Sequence, residues 1–115
     1  MDIKQVAKQL DMSTDTIRKW ERLGMIPPVT RNHEGLRDFT ENDIYWVKYA
    51  KLLNKMHVSS DFQIEYVKLA QLGQKAMPAR RLLLKEQIDQ LDEKYQTLTK
   101  YLHEMEKLVE KEEFV

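Results

Sequence analysis

The chain has 115 residues, of which 42% are hydrophobic and 33% charged, and its formal net charge is zero, so its length fits one small domain or a small domain with an appended element. It contains no cysteine, which excludes disulfides, thiolate metal sites and thiol-based sensing, and its three scattered histidines do not indicate a structural zinc site. Because no apolar run is long enough to cross a bilayer and the first residues lack the pattern of a signal peptide, we expect a soluble cytoplasmic protein with no membrane partner and no bound cofactor or metal.

Residues 3–23 predict two short helices separated by a polar turn at Asp11-Met12-Ser13. We expect the first helix at about Ile3–Gln9 and the second to run from its N-cap Ser13 to Leu23, with Gly24 as a left-handed C-cap. The small and apolar residues lie at Val6, Ala7, Leu10, Met12, Ile17 and Trp20. These intervals let the two helices cross steeply around one core. The segment therefore predicts a helix-turn-helix, whose second helix can enter the major groove of DNA.

The positive charge of the chain is concentrated on this motif. Residues 1–56 hold 10 Lys/Arg and 8 Asp/Glu, whereas residues 57–115 hold 9 and 11. The outward face of the second helix carries Thr14, Asp15, Arg18, Lys19 and Arg22, and the next loop carries Arg31 and Arg37. A focused basic patch favours phosphate binding even at zero net charge. The alternative is an ordinary helical hairpin with a solvated basic face.

An extended segment follows, because Pro27 and Pro28 exclude a helix. Residues 29–39, with Asn32-His33-Glu34-Gly35 at their centre, predict two short strands around a turn, a small β-wing. Thr40 opens a third helix, at about Glu41–Met56, with a capping-box-like arrangement. This helix has one apolar stripe that can close the hairpin core and a second that needs another partner. The stripes are Ile44, Val47, Ala50 and Leu53, and Tyr45, Tyr49, Leu52 and Met56.

The remaining residues predict two more helices. His57 ends the third helix, Ser59 or Ser60 caps a short helix that reaches about Leu72, and residues 74–77 connect it to a last helix that starts near Pro78. The last helix carries an a/d heptad seam at Leu84, Ile88, Leu91, Tyr95, Leu98, Leu102, Met105 and Val109. Nothing else in the chain is left to cover this seam. We therefore predict a homodimer formed through a two-stranded coiled coil.

The order of these elements and five motifs resemble the MerR family of bacterial transcription regulators, over essentially the whole chain. The segment Thr16-Ile17-Arg18-Lys19-Trp20-Glu21 is similar to the family's Thr-Leu-Arg-Tyr-Tyr-Glu, and Gly24-Met25-Ile26-Pro27-Pro28 to its Gly-Leu-Leu-Pro-Pro. Gly35-Leu36-Arg37-Asp38-Phe39 is similar to its Gly-Tyr-Arg followed by an aromatic residue, and Thr40-Glu41-Asn42-Asp43-Ile44 to the start of its third helix. Met77-Pro78-Ala79-Arg80-Arg81 resembles a segment of its small members.

The resemblance implies that the recognition helix Thr14–Arg22 reads base edges, with Arg18 and Trp20 at DNA-contact positions, and that Arg37 holds the backbone beside the groove. Arginine and the indole N–H can donate to phosphate, although core packing is an equal alternative for Trp20. The carboxylate of Asp15 either accepts a hydrogen bond from a cytosine amino group or is only a charge that complements the dipole at the start of the helix. The complete predicted DNA-binding set is Thr14, Asp15, Thr16, Arg18, Lys19, Trp20, Arg22, Arg31 and Arg37.

The sequence contains less information about an effector that the protein would sense. Leu52 aligns with the sensor position of the aldehyde-responsive members, which use a cysteine there. One interpretation is an effector pocket for a small aromatic ligand, lined by Tyr45, Tyr49, Leu52, Met56 and Tyr66. The more common interpretation of such a stripe is an interface between the domain and the coiled coil.

We therefore predict an all-α fold with a small β-wing: a winged helix-turn-helix domain at 1–73, a connector at 74–77 and a coiled-coil dimerisation helix at 78–115. The expected function is sequence-specific transcription regulation by a homodimer on a pseudo-palindromic promoter operator. The resemblance further implies that the protein distorts promoter DNA and that RNA polymerase responds to the distorted promoter. The alternatives are an architectural or excisionase-like DNA-bending protein and a coiled-coil module that binds protein. We expect no enzyme, because Glu21, Glu41 and Asp43 have no nucleophile or metal set beside them, and Ser59-Ser60 next to His57 resembles a helix boundary.

Overall fold

The computed structural model describes residues 1–111, which are mostly helical, and residues 112–115 of the predicted dimerisation helix lie outside the described residues. The elements in chain order are α1 (Ile3–Leu10), α2 (Thr14–Leu23), α3 (Glu41–Lys55), α4 (Ser60–Gln71), a short 3-10 helix (Gly73–Ala76) and α5 (Met77–Glu110). The chain divides into two compact units, residues 1–80 and the residues from Arg81 on. No helix among residues 1–111 combines the length and the apolar character that a membrane span needs.

The helix ends form where the sequence predicts them. Ser13 Oγ accepts the amide of Thr16 at 3.1 Å at the start of α2, and Thr40 forms a capping box with Asp43 at the start of α3. Of the two serines that the sequence left open for α4, Ser59 is the cap. Gly24 ends α2 with φ of 80°. These side chains satisfy amides that the first helical turns leave without partners.

The core of the first unit joins α1, α2, the following loop and α3. Its buried members are Val6, Ala7, Ile17, Trp20, Met25, Ile26, Val29, Phe39, Val47 and Ala50. The predicted hairpin core is confirmed, since Leu10 and Met12 also pack against this cluster, as does Ile44 from the first stripe of α3. Full burial of one such aliphatic side chain stabilises the fold by about 1.5–3 kcal/mol. The cluster therefore sets the angle at which α2 presents its opposite face.

The prediction of a β-wing was wrong in its secondary structure. Among residues 1–111 there is no strand, and the loop 29–39 contains one isolated antiparallel bridge, between Arg31 and Arg37. Inside that bridge the side-chain carbonyl of Asn32 accepts two amides, at 2.9 and 3.1 Å, and closes the tip. The loop still folds back on itself, as a hairpin does, but its tip depends on an Asn side chain.

Cross-loop pairing reaches as far as Asp38, whose amide donates to the carbonyl of Thr30 at 2.8 Å, but the amides that follow donate outside the loop. Val29 N donates to Glu21 Oε2 at 2.6 Å, and Thr30 N donates to Asp43 Oδ2 at 3.3 Å. At the other end, the amide of Phe39 donates to the main-chain carbonyl of the first residue at 2.8 Å. The next bond of an antiparallel ladder would run from Thr30 N to the carbonyl of Asp38. Because Thr30 N donates to Asp43 instead, the ladder does not extend beyond one bridge.

The residues predicted as a connector, 74–77, lie mostly in an ordered turn. A 3-10 helix occupies Gly73–Ala76, and α5 begins directly at Met77. Gly73 has φ of 77°, which ends the preceding α-helix, and Ala76 is 7% exposed. Burial of Ala76 favours a tight, ordered turn here rather than a loose linker.

Candidate nucleic-acid interface

The outward face of α2 carries the basic side chains that the sequence assigned to it. Ile17 and Trp20 are buried in the core, whereas Arg18, Lys19 and Arg22 are exposed. Residues three apart lie on one helix face, and their immediate neighbours turn away from it. Burial of the apolar pair therefore fixes the three cations on the solvent side, within one helix of ten residues.

Arg18 is already bonded within the first turn of α2. Its Nη1 donates to Thr14 Oγ1 and to Asp15 Oδ1, both at 3.1 Å. The side chain of Arg18 is 44% exposed and that of Asp15 is 94% exposed. Ion pairs this open to water are worth about 0.2–1 kcal/mol and exchange readily for another anion or acceptor. The pair orients the guanidinium without holding it away from a ligand.

Three further members of the predicted set have partners or positions that limit what they do. Thr16 Oγ1 lies 2.7 Å from Ser13 Oγ, so its hydroxyl belongs to the cap of α2. Thr14 is half-buried. Trp20 is 6% exposed, and of the two roles that the sequence left open for it, packing in the core is the one that this burial supports.

Glu21 connects the recognition helix to the loop, and the sequence reasoning missed this role. Its Oε1 accepts from Arg37 Nε at 2.8 Å and lies 3.5 Å from Arg31 Nη2, while its Oε2 accepts from Val29 N at 2.6 Å. The side chain is only 12% exposed. A signal was available, because a carboxylate in the last turn of a helix opposes the helix dipole and needs a partner elsewhere.

The predicted dimer seam lies along α5, a helix of 34 residues with no buried side chain. At 1.5 Å per residue the helix is about 51 Å long. Seven of the eight seam side chains are exposed, and Leu91 is half-buried. A contiguous row of exposed large apolar side chains is typical of an interaction surface.

The residues of the predicted effector pocket fall into two groups. Tyr45 and Tyr49 stack at 6.4 Å on α3, and with Leu52 and Met56 they form a stripe in which each side chain is at least 46% exposed. Tyr66 instead contacts Trp46 and Phe62, at centroid distances of 5.9 and 6.0 Å. A pocket on the α3 stripe needs a further surface to close it.

A helix-turn-helix that exposes arginines on its second helix, and that is followed by a long exposed helix, is the architecture of a helix-turn-helix regulatory protein. Residues 1–68 match the family described as MerR HTH family regulatory protein. The chain therefore belongs to the MerR family, as its motifs predicted.

The match to known relatives spans only part of each relative's own sequence. The chain is 39% identical over 93 residues to the HTH-type transcriptional regulator AdhR of Bacillus subtilis strain 168, covering 81% of this chain and 66% of AdhR. It is 33% identical over 66 residues to the uncharacterized HTH-type transcriptional regulator YyaN of the same organism, covering 57% of this chain and 48% of YyaN. The matches thus span about two thirds of AdhR and about half of YyaN.

Solved structures share the fold over nearly the whole chain. A protein of Listeria monocytogenes assigned to the MerR family transcriptional regulators is 29% identical, with a TM-score of 0.84, and the match covers 99% of this chain and 86% of that one. HiNmlR, a MerR family regulator that lacks the sensor domain and was crystallised bound to promoter DNA, is 22% identical, with a TM-score of 0.76 and coverage of 94% and 86%.

Proposed function

We propose that this protein is a DNA-binding transcriptional regulator that reads a pseudo-palindromic promoter operator as a homodimer. The observation that carries the proposal is the basic surface formed by two adjacent elements. Arg18, Lys19 and Arg22 are exposed on α2, and Glu21 of the same helix bonds Arg31 and Arg37 of the loop. The similarity to AdhR and to the DNA-bound HiNmlR supports this function.

In this proposal α2 enters the major groove and the loop lies along the flanking backbone. Arg18, near the start of the helix, meets base edges, because the N-terminal residues of a recognition helix reach deepest. Lys19 and Arg22 neutralise phosphates, and Arg31 and Arg37 extend the phosphate contacts beyond the groove. Asp15, which holds Arg18 in the free protein, then accepts from a cytosine amino group or returns to the solvent.

The homodimer forms through the exposed seam of α5. Two protomers related by a two-fold axis present two recognition helices, which matches half-sites about one helical turn, or roughly 34–36 Å, apart. As in the family, the dimer distorts promoter DNA, and RNA polymerase responds to the altered promoter. The α3 stripe with Tyr45 and Tyr49 is either the place where a small effector acts or the surface that the coiled coil covers.

Selection of bound sequences from a random duplex pool, followed by a salt titration of the best duplex, tests the proposal. We expect a symmetric consensus with two half-sites and an affinity that falls steeply with salt, by about 0.9 in logarithmic slope for each phosphate that the protein neutralises. Repeated unpaired sites outside promoters would favour an architectural or excisionase-like protein. No enrichment, with only weak binding at low salt, would contradict the proposal. The coiled coil would then remain as the functional surface.

A further inference from the structure

We infer that Glu21 is a positioning residue for DNA binding: it aligns Arg37 toward the DNA backbone and fixes the loop at one distance from the recognition helix. Glu21 lies in the last turn of α2, and the arginine that it bonds lies sixteen residues later in the loop. The inference rests on the proposed function, since it assigns the residue that prepares the phosphate contacts.

Both carboxylate oxygens of Glu21 are used, and each holds a different part of the loop. Oε2 accepts the amide of Val29 at 2.6 Å, where the loop begins. Oε1 accepts Nε of Arg37 at 2.8 Å, where the loop returns, with Arg31 Nη2 at 3.5 Å. One side chain that is 12% exposed therefore ties both ends of the loop to α2. Charge-assisted hydrogen bonds at this depth are shorter and stronger than those between neutral groups.

The bond to Arg37 leaves part of its guanidinium for a ligand. Glu21 takes Nε, and among residues 1–111 neither Nη group of Arg37 donates a hydrogen bond. A guanidinium is a planar fork, so fixing its Nε edge also fixes the direction of its remaining N–H groups. The side chain is 22% exposed. An arginine oriented before binding loses less conformational entropy when it meets a phosphate.

Because Glu21 is negatively charged, charge repulsion and a positioning role predict opposite changes in DNA affinity when the charge is removed. A carboxylate at the basic surface repels phosphate, so on electrostatics alone its neutralisation strengthens DNA binding. Glu21→Gln also removes one of the two acceptor oxygens and places an amide NH₂ group against a donor. If Glu21 positions Arg37, the same substitution weakens binding despite the removal of this repulsion.

Glu34→Gln is the matched control. Glu34 lies at the exposed tip of the same loop, and its side chain makes no hydrogen bond or ion pair among the described residues. Each substitution removes one negative charge, from α2 for Glu21 and from the adjacent loop for Glu34. The 115-residue chain is titrated with the duplex that the unaltered protein enriches from a random pool. The titration is made at several salt concentrations and at a temperature where circular dichroism shows each variant folded.

We expect Glu21→Gln to weaken binding about tenfold, or about 1.4 kcal/mol. The logarithmic salt slope should flatten by about 0.9 for each phosphate that the variant no longer neutralises. Glu34→Gln should bind as tightly as the unaltered protein or more tightly. In an Arg37→Ala background, Glu21→Gln should flatten the slope less than it does in the unaltered protein, because the contact of Arg37 is already lost. If Glu21→Gln does not fold, Glu21→Asp, which keeps the charge but shortens the reach by one methylene, should show the same flattening.

Three results overturn the inference in distinguishable ways. Equal or tighter binding by Glu21→Gln, with the unaltered protein binding normally, removes the positioning role and leaves the proposed function intact. Weaker binding with an unchanged salt slope, in a variant that circular dichroism shows folded, means that Glu21 does not position a phosphate contact. Failure of the unaltered protein to enrich any duplex removes the proposed function, and this inference with it.

Discussion

Arg80, in the first turn of α5, donates from Nη2 to the hydroxyl of Tyr66 in α4 at 3.1 Å, and its guanidinium carbon lies 5.2 Å from the centroid of the same ring. The interaction combines a hydrogen bond with a cation–π attraction. Tyr66 is in turn packed against Trp46 of α3. The first turn of α5 is therefore attached to the aromatic side chains that α3 and α4 share.

This arrangement predicts a loss of stability for Tyr66→Phe, which removes the hydroxyl and keeps the ring. We expect the free energy of unfolding to fall by about 0.5–1.5 kcal/mol, the usual contribution of one hydrogen bond. Chemical denaturation at fixed protein concentration measures it. Tyr45→Phe is the control, since the hydroxyl of the exposed Tyr45 has no hydrogen-bond partner among residues 1–111. Equal losses in both variants would contradict a specific role for the Arg80 bond.

The two adjacent serines before α4 provide a second matched pair. Ser59 Oγ accepts the amide of Asp61 at 3.1 Å, whereas Ser60 is the first residue of the helix and its exposed side chain makes no hydrogen bond in the described part of the chain. We expect Ser59→Ala to lower the free energy of unfolding by about 0.5–2 kcal/mol, as loss of an N-cap does. Ser60→Ala should be nearly neutral, because alanine favours the helix. Thermal unfolding of both variants measures the two losses of stability. A larger loss in Ser60→Ala would show that the cap is assigned to the wrong serine.

The sequence predicted those parts of the fold that depend on local periodicity and on short capping motifs. The hairpin core, the cap at Ser13 and the burial of Val47 all follow from spacings of three or four residues. The matching motifs also predicted the MerR family correctly. Local rules sufficed here because each of these features involves neighbours along one helix or across one short turn.

The sequence failed where distant side chains compete for backbone amides. Alternation around the turn predicted two strands, but Val29 N donates to Glu21, eight residues earlier, and Thr30 N to Asp43, thirteen residues later. No local pattern shows that these carboxylates reach the loop. Tyr66 was also misplaced because its partner is distant in sequence. The period of α4 does not reveal that Tyr66 faces Trp46 rather than the stripe of Tyr45 and Tyr49.

The exposed seam of α5 predicts that Leu98→Asp separates the proposed dimer. Leu98 is 45% exposed in the single chain and occupies a seam position, so the substitution replaces two leucines of each dimer interface by two buried charges. Removal of the two leucines alone weakens association by about 3–6 kcal/mol. Sedimentation analysis should give the mass of one chain for Leu98→Asp. Thr97→Asp, one position off the seam, should keep the mass of two chains, and a dimeric Leu98→Asp would place the interface elsewhere.

Arg18 offers a way to separate base reading from phosphate binding. Its Nη1 is held by Thr14 and Asp15 at the start of α2, where a recognition helix reaches the bases. Arg18→Lys keeps the charge but loses the planar fork that pairs with two acceptors of guanine. If Arg18 contacts a base, both Arg18→Lys and Arg18→Ala should cost about 1–3 kcal/mol on the selected duplex and relax specificity at one position of each half-site. Competition binding against single-base variants of that duplex measures this. If instead Arg18 contacts a phosphate, Arg18→Lys binds nearly as well as the unaltered protein, and Arg18→Ala weakens all duplexes equally with a flatter salt slope.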